Sequence, residues 1–320
     1  MQLIAAVPNI SEAKERANLA RLIGDLQATL GGARLLHVDS NIDANRTVLT
    51  LIGNPQQVTW ACFMLFRASK NYIDMRFHKG SHPRLGAVDV CPLIPVTGIT
   101  LEQTALLANS LAQRVATELN IPVYLYEASA RRKECKNLAS IRQGEYENLP
   151  EKMRTLPPDY GPCLFSPSVA TTGASIIGAR NVLIAFNISL NTTDVSLAKQ
   201  IAQKLREKNG GLPSVKAIGW YMENYKCAQV SFNLTNFHQS NLQDVFEACK
   251  REAQSLGLQI TGSELIGLIP REAIVRAGKF YAPTVNDEEI LISTAVDHLL
   301  LNNIHPFVAK ERILENALSL

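Results

Sequence analysis

The sequence has few of the features that mark secreted, membrane-bound or disulfide-stabilised chains. Its six cysteines include no CxxC pair, and in a chain without a secretion signal such cysteines are expected to be reduced, buried thiols. Residues 1–15 have no basic segment, long apolar core or small-residue cleavage site, so they do not read as a secretory signal. No apolar run approaches the ~20 residues that a membrane helix needs. The sequence therefore predicts a cytoplasmic protein with no membrane contact.

A strong charge excess is missing too. The formal net charge is +3 over 320 residues, and no Lys/Arg-rich run is present, so we expect no nucleic-acid partner. With 46% hydrophobic and 19% charged residues, the composition is that of a globular protein with one large domain or two ordinary ones. The sequence also contains no Walker A lysine pattern, GxGxxG, nucleophile elbow or kinase motif.

The hydrophobic pattern predicts the order β-α-β-β-α-β in the first half of the chain. The first helix follows helical apolar spacing, with Ser11 as its predicted cap and Gly31-Gly32 as its end. A last strand then follows a basic loop. The predicted segments are strand 2–7, a helix after Ser11, strands 34–38 and 46–52, helix 55–69 and strand 87–94.

The second half repeats this order. Ser240 and Gln243 form a predicted capping box for its second helix, which Gly257 ends. The predicted segments are strand 182–188, helix 196–208, strands 215–221 and 227–233, a helix to residue 256 and a last strand at 265–269. Two such units predict an α/β (α+β) fold of two ferredoxin-like βαββαβ subdomains, residues 1–180 and 181–320, whose sheets face a central substrate cleft with the helices outside.

Other elements are expected between and after these units. Thr100 and Gln103 form a capping box for a helix that runs to Leu119. A strand at 123–126 and a polar helical stretch to about Met153 follow. Residues 156–168, which contain four prolines and a glycine, are expected to be a connector or a binding loop, and residues 288–301 an amphipathic helix.

The densest group of cationic and titratable residues is Arg76–Arg84, which contains His78 and His82. An HxxxH pair on a helix would indicate a metal site. Here Gly80 lies between the two histidines, and Pro83 disfavours helical geometry at His82. We therefore predict a loop with no metal site.

His82 is the candidate general acid/base of this loop. Its ordinary pKa of ~6.5 is near working pH, and neighbouring cations favour the neutral imidazole that a general base needs. A solvated polar loop is the alternative. The immediate continuation into an apolar strand favours function, since polar loops at the edges of such strands are where α/β proteins keep functional residues.

Further candidates are weaker. Asp39, which ends the predicted strand at 34–38, could orient His82 or a cationic substrate group, or could cap its own turn. Residues 173–180 could offer backbone N–H groups to an anion, although a bare glycine-rich loop is a weak signal. Cys91 is expected in the core, and Trp220 is expected to pack in the core rather than to stack on a flat heterocycle.

Taken together, these segments resemble the formiminotransferase family, the folate-dependent enzymes of histidine degradation. The resemblance covers essentially the whole chain in order, and the run around His82 is its most specific part. The matching stretches are residues 7–12, 45–48, 78–84, 86–87, 89–92, 94–96, 122–126, 144–147, 158–162, 178–180 and 218–221.

The resemblance implies roles for particular residues. The family's catalytic histidine matches His82, and the family's aspartate after the first helix matches Asp39. Two segments match the family's folate contacts, although the loop between Ser168 and Gly173 is longer and the loop before Val215 is shorter than the family's. The implied folate-binding residues are Gly161, Pro162, Cys163, Leu164, Phe165, Ser166, Pro167, Ser168, Val169, Ala170, Leu212, Pro213, Ser214, Val215, Lys216 and Ala217.

The implied reaction moves the formimino group of N-formimino-L-glutamate to N5 of tetrahydrofolate, a co-substrate, and gives 5-formiminotetrahydrofolate and L-glutamate. The resemblance also implies a homodimer and allows a separate cyclodeaminase partner. Three alternatives remain open. They are formyl transfer between 5-formyltetrahydrofolate and glutamate, a folate-binding protein without catalysis, and a metal-dependent amidohydrolase.

Overall fold

A computed structural model describes residues 2–319, and its backbone divides into two compact units. One unit runs to Asn181 and the other begins at Val182. Each unit has its own sheet and its own hydrophobic core. The predicted mixed α/β class is confirmed, and the expected cleft between the sheets stays a prediction. No helix within residues 2–319 is both long and apolar enough to cross a membrane.

The first unit contains a seven-stranded sheet. β1 and β2 are two halves of one strand interrupted at Val7-Pro8, and both pair with β4 and β5. The strands run in the order β3, β4, β1/β2, β5, β7, β6, with β5, β7 and β6 parallel. The elements are β1 (Leu3–Ala6), β2 (Asn9–Ile10), α1 (Arg16–Ala28), β3 (Arg34–Asn41), β4 (Arg46–Gly53), α2 (Pro55–Tyr72), β5 (Val88–Thr97), α3 (Leu101–Leu119), β6 (Val123–Glu127), α4 (Leu138–Arg142), α5 (Leu149–Thr155), α6 (Pro167–Thr172) and β7 (Ser175–Ala179).

The two faces of this sheet differ in chemistry. The long helices α1–α3 pack on one face, against side chains such as Leu49 and Leu93. On the opposite face a buried cluster that includes Val90 joins the β5, β7 and β6 side of the sheet to the short helices. Asn9 pairs with both Val48 and Val90, and Asp39 pairs with Val48. Since residues in one such row share a face, the face that carries Val90 becomes polar at β2 and β3.

The second unit has a four-stranded antiparallel sheet in the order β11, β8, β10, β9. Phe186 and Phe232 on one face contribute to the core with the helices. The other face carries Gln229, which donates to Glu264 at 3.0 Å and accepts from Trp220 at 2.9 Å. The elements are β8 (Ile184–Leu190), α7 (Val195–Leu205), β9 (Val215–Met222), β10 (Cys227–Leu234), α8 (Leu242–Ser255), β11 (Ile260–Ile266), α9 (Arg271–Tyr281), α10 (Glu288–His298), α11 (Ala309–Arg312) and α12 (Leu314–Ser319).

Two of the predicted helix caps are wrong. Ser11 does not cap α1, which begins at Arg16; its hydroxyl instead donates to the carbonyl of Gly86 at 2.8 Å. Asn241 and Asp244, not Ser240 and Gln243, form the capping box of α8. In both cases the hydroxyl bonds a carbonyl distant in sequence, Pro213 for Ser240. The capping box of Thr100 and Gln103 on α3 is confirmed.

Three further expectations need correction. Residues 173–180 do not form an anion-binding loop, because Ser175–Ala179 is the buried strand β7 between β5 and β6. The last strand of the second unit begins at Ile260 rather than residue 265, and helix α9 was missed. Trp220 lies half-buried outside the core, whereas Cys91 is fully buried as predicted.

Candidate active site

The loop between α2 and β5 docks on the turn between β3 and β4. Ser81 donates its N–H to the carbonyl of Asp43 at 3.0 Å, and the Asn45 side chain donates to the carbonyl of Lys79 at 3.0 Å. A Cβ added at Gly80 would collide with the carbonyl of Ala44. Gly80 therefore lets the two backbones approach, which adds a packing reason to its role as a helix breaker.

Asn45 is the centre of this docking. Its φ of +46° lies in the left-handed region, which asparagine tolerates better than most residues. Its side-chain oxygen accepts from the N–H groups of Ala13 and Lys14 at 2.9 and 3.1 Å. The buried side chain of Asn45 thus connects the segment before α1, the β3–β4 turn and the loop between α2 and β5, which carries His78 and His82.

His78 has a structural role. Its Nε2 lies 2.9 Å from the carbonyl of Asn45, which can only accept, so Nε2 carries the proton. Its Nδ1 accepts from Nε of Arg84 at 3.1 Å. Burial lowers the pKa of His78, and the Arg84 guanidinium lowers it further. Because both ring nitrogens are used, His78 has none left for acid/base work or for a metal.

Arg84 anchors the end of the loop. Its guanidinium donates to Glu145 at 2.9 Å and to both carboxylate oxygens of Glu147 at 2.6 and 2.7 Å. These hydrogen bonds lower the pKa of Glu147 to about 2 and raise that of Arg84. Only 5% of the Arg84 side chain is exposed. The loop is therefore held by a fork-shaped charged pair that fixes orientation as well as distance.

His82, like His78, has one ring nitrogen bound to a backbone carbonyl. Its Nδ1 lies 2.7 Å from the carbonyl of Pro83. Since a carbonyl oxygen can only accept, Nδ1 carries the proton of the neutral ring, and Nε2 presents a lone pair. The half-buried His82 is thus a base with a defined direction.

Asp89 lies beneath this loop and comes from an irregularity of the sheet. Asn9 pairs with Val90 whereas Ile10 pairs with Val88, so Asp89 is the extra residue of a β-bulge in β5. Its fully buried carboxylate accepts from Arg46 at 2.6 Å, from Arg142 of α4, and from the backbone N–H of Leu85 at 2.9 Å.

The electrostatics of the site favour a neutral His82. Burial lowers the pKa of His82 well below its ordinary value, and Arg46 and Arg142 lower it further, against a smaller opposing effect of Asp89. Burial also lowers the pKa of Arg46, to about 10, although Asp89 opposes this. Burial alone would raise the pKa of Asp89, but the two arginines outweigh it and the pKa falls. At neutral pH the site holds a neutral imidazole, two guanidinium ions and a carboxylate.

Asp39 lies within β3 rather than at its end, because the strand continues to Asn41. The predicted strand end is therefore wrong. Its carboxylate lies 3.7 Å from Nε2 of His37, and both side chains are 17% exposed. Asp39 shares the polar face of β2, β3 and β4, and its role toward His82 stays a prediction.

Residues 161–166 form a largely exposed turn, and residues 167–170 are the first part of α6. Leu164 and Phe165 are 81% and 38% exposed, which is unusual for large apolar side chains. Ser166 caps α6 with its hydroxyl, and Val169 is fully buried beneath. The proposed folate contacts on this segment thus include one side chain that faces the core.

Residues 212–217 form a turn and the start of β9. Val215 and Ala217 belong to the core of the second unit, whereas Lys216 between them is exposed. Ser214 has a φ of +58°, and its hydroxyl donates to Gln239 at 2.5 Å. Only part of this segment therefore presents side chains to a ligand.

Three charged residues of the site, Arg46, Asp89 and Arg142, were missed from the sequence. Asp89 had a signal, since it is a single carboxylate within an apolar strand and such groups are rarely buried without partners. Arg142 had none, because it lies 53 residues further along the chain in a polar helical stretch. Within residues 2–319 no group of three or more His, Cys, Asp or Glu side chains is placed to hold a metal ion.

Comparison with known proteins identifies the family. A family model described as the formiminotransferase domain, N-terminal subdomain, matches residues 3–180, and the formiminotransferase domain model matches residues 185–319. The chain is 43% identical to formimidoyltransferase-cyclodeaminase of Rattus norvegicus over 98% of its length, and it spans 59% of that relative. It is 38% identical to the glutamate formimidoyltransferase of Streptococcus pyogenes serotype M1, in an alignment that covers 93% of this chain and 99% of the relative. It is also 38% identical to the glutamate formimidoyltransferase of Thermoplasma acidophilum, in an alignment that covers 88% of this chain and 92% of the relative. The chain therefore belongs to the formiminotransferase family.

Proposed function

We propose that this protein transfers the formimino group of N-formimino-L-glutamate to N5 of tetrahydrofolate, with His82 as general acid/base. The Streptococcus and Thermoplasma relatives, which are glutamate formimidoyltransferases, support the transferase activity, since the chain spans nearly all of each. The observation that carries the role of His82 is its Nδ1 bond to the carbonyl of Pro83, which holds the proton of the neutral ring on Nδ1 and makes Nε2 the basic nitrogen.

The reaction makes two demands on protons. The N5 amine of tetrahydrofolate attacks the formimino carbon, and the attacking nitrogen must then lose a proton. The nitrogen of the departing glutamate must gain one. A single imidazole can accept the first proton and donate it to the second nitrogen, and such transfer typically contributes ~10²–10⁴-fold to the rate.

The surroundings of His82 suit both steps. A lowered pKa keeps the imidazole neutral and ready to accept a proton. The imidazolium that then forms lies close to two guanidinium ions, so it is a strong acid toward the leaving nitrogen. Holding the two substrates in attack geometry contributes at least as much as proton transfer. The exposed apolar side chains of Leu164 and Phe165 would suit contact with a flat pterin ring.

The test is an assay with tetrahydrofolate and N-formimino-L-glutamate that compares the wild type with His82→Ala. We expect kcat to fall ~10²–10⁴-fold while tetrahydrofolate binding, measured by calorimetry, changes little. His238→Ala, which changes an exposed histidine of the second unit, is the matched control and should keep full activity. Near-normal turnover in His82→Ala would refute the assignment.

The same assay separates the alternative functions. Turnover of 5-formyltetrahydrofolate with glutamate, at a rate above that with the formimino donor, would favour formyl transfer. Folate binding without turnover of either donor would favour a non-catalytic protein, and activity abolished by a chelator would favour a metal-dependent amidohydrolase.

The proposal extends to the assembly and location of the protein. We propose a cytoplasmic homodimer whose product is used by a cyclodeaminase, since the Rattus norvegicus relative combines the two activities in its name. Light scattering of the purified chain tests the dimer, and a monomer at micromolar concentration would contradict it.

A further inference from the structure

Arg46, Asp89 and Arg142 carry two positive charges and one negative charge. Only 8% of the Arg46 side chain and 12% of the Arg142 side chain are exposed. The carboxylates of Glu145 and Glu147 are bound to Arg84. A buried charge without a partner is costly, so the trio is complementary to one additional anion.

Donor counting shows where that anion would bind. Each guanidinium has five N–H groups. Arg46 uses Nε for Asn9 at 3.0 Å and Nη1 for Asp89, and Arg142 uses Nε and Nη2 for Asp89. Within residues 2–319, Nη2 of Arg46 and Nη1 of Arg142 make no hydrogen bond. Asp89, which both arginines bind, also accepts from the backbone N–H of Leu85 at 2.9 Å, three residues after His82, so the unused donors lie close to the His82 loop.

The covalent structure of the substrates decides which anion fits. In N-formiminoglutamate the α-carboxylate is attached to the carbon that bears the reacting nitrogen, so it must lie close to the general acid/base. The γ-carboxylate is two methylene groups further away. In tetrahydrofolate the glutamyl carboxylates lie beyond the p-aminobenzoyl ring from N5, so neither can reach a site beside His82 while N5 reacts there.

We propose that Arg46 and Arg142 bind the α-carboxylate of N-formiminoglutamate beside His82, with Asp89 holding the two guanidinium groups in position. The inference rests on the proposed function. Paired guanidinium donors suit the planar carboxylate and fix its orientation. The subsite would thereby place the nitrogen of the departing glutamate toward Nε2 of His82. It makes Arg46 and Arg142 substrate-binding residues and Asp89 a positioning residue.

The first test uses the wild-type chain with two amide analogues. N-formimino-L-isoglutamine lacks the α-carboxylate, and N-formimino-L-glutamine lacks only the γ-carboxylate. We expect kcat/KM to fall roughly 10- to 100-fold for the α-amide relative to the parent, the range for a lost charged hydrogen bond, and to fall less for the γ-amide. Equal losses for the two amides would overturn the proposal.

The second test asks whether Arg142 is the residue that recognises the α-carboxylate of the substrate. In Arg142→Gln the discrimination against the α-amide should shrink to less than about threefold, because the charge that recognises the carboxylate is gone. The KM for tetrahydrofolate and the discrimination against the γ-amide should not change. A rise in the tetrahydrofolate KM with the α-amide discrimination intact would assign the carboxylate to folate and overturn the proposal.

Two further variants control for folding. Arg142→Lys keeps the charge and should recover part of the discrimination. Arg154→Gln removes an exposed arginine from the neighbouring helix α5, where it pairs with Glu151, and should behave as the wild type. If Arg142→Lys and Arg154→Gln raise the KM for the parent substrate as much as Arg142→Gln does, the effect is structural and the subsite is refuted.

An equilibrium measurement distinguishes failure of this inference from failure of the proposed function. Calorimetry without folate compares N-formyl-L-glutamate with its α- and γ-amides on the wild type. Tighter binding of the parent than of the α-amide in a chain that shows no transferase turnover would support the subsite and refute the function. Transferase turnover with equal binding of the parent and the α-amide would refute the subsite alone.

Discussion

Asp89→Asn is the substitution that most directly tests how the site is held together. It preserves the shape of the side chain but removes the negative charge that Arg46 and Arg142 share. Because Asp89 is fully buried and Arg46 nearly so, the change leaves guanidinium charge uncompensated in a region of low polarity. Removing one partner of a buried ion pair costs about 3–5 kcal/mol. Against a typical total stability of about 5–15 kcal/mol, the first unit should lose a large part of its free energy of unfolding.

The chain offers a way to locate that loss. Of its two tryptophans, Trp60 lies on α2 in the first unit and Trp220 on β9 in the second. Trp220→Phe leaves Trp60 as the only tryptophan, and Trp60→Phe leaves only Trp220. Urea unfolding of Asp89→Asn in each background, followed by fluorescence, then reports the two units separately.

We expect the transition reported by Trp60 to move by about 3–5 kcal/mol and the one reported by Trp220 to move less. Asp74→Asn is the matched control, since it makes the same substitution in a pair with Arg76 that solvent screens. Its unfolding should be nearly unchanged. If Asp89→Asn shifts the Trp60 transition by no more than Asp74→Asn does, the buried trio does not stabilise the fold and this reasoning is wrong.

Two further predictions concern the histidines and the loop. The pKa values of His78 and His82 are both lowered in the folded chain, so below pH ~6.5 the unfolded chain binds more protons than the folded one. The free energy of unfolding should therefore decrease as the pH falls below that value, by at most about 1.4 kcal/mol per pH unit for each histidine. The urea midpoints at pH 7 and pH 5.5 should differ less in His82→Gln than in the wild type, and an equal difference would contradict the lowered pKa of His82. Gly80→Ala should reduce kcat, because the added Cβ would displace the loop from Ala44. The control is Gly24→Ala on α1, where the added Cβ meets no neighbour; it should keep full activity and stabilise the helix by about 0.5–1 kcal/mol. Full activity in Gly80→Ala would show that the close approach of the two backbones does not position His82.

The parts of the fold that depend on local signals could be predicted from the sequence. The apolar periodicity located both βαββαβ orders, and the Thr100 and Gln103 box located the start of α3. Strand β7 was missed because Gly173 and Gly178 resemble a loop, whereas the buried Ile176 and Ile177 form a strand between two parallel neighbours. The strand's stability comes from pairing with β5 and β6, which no short window of sequence records.

The site, too, contains residues that local sequence signals predict and residues that only tertiary contacts bring together. His82 was predicted from its dense basic loop, and Gly80 and Pro83 correctly argued against a helix there. The difference between His78 and His82 required knowing which carbonyl each ring faces. Arg142 reaches Asp89 across 53 positions, and the packing of α4 on the face of β5, β7 and β6, through Ile141, brings the two together.

The bulge in β5 places Asp89 outside the regular pairing of the sheet, so the strand does not need this residue for its pairing with β2. Val88 and Val90 would still face opposite sides of a regular ladder if Asp89 were deleted, since Ile10 and Asn9 already pair with them as neighbours. The carboxylate is thus an insertion into an otherwise complete strand, tolerated because two arginines from elsewhere in the chain accept it. An extra residue at such a bulge brings a charge into the site without changing the face of any other residue of the strand.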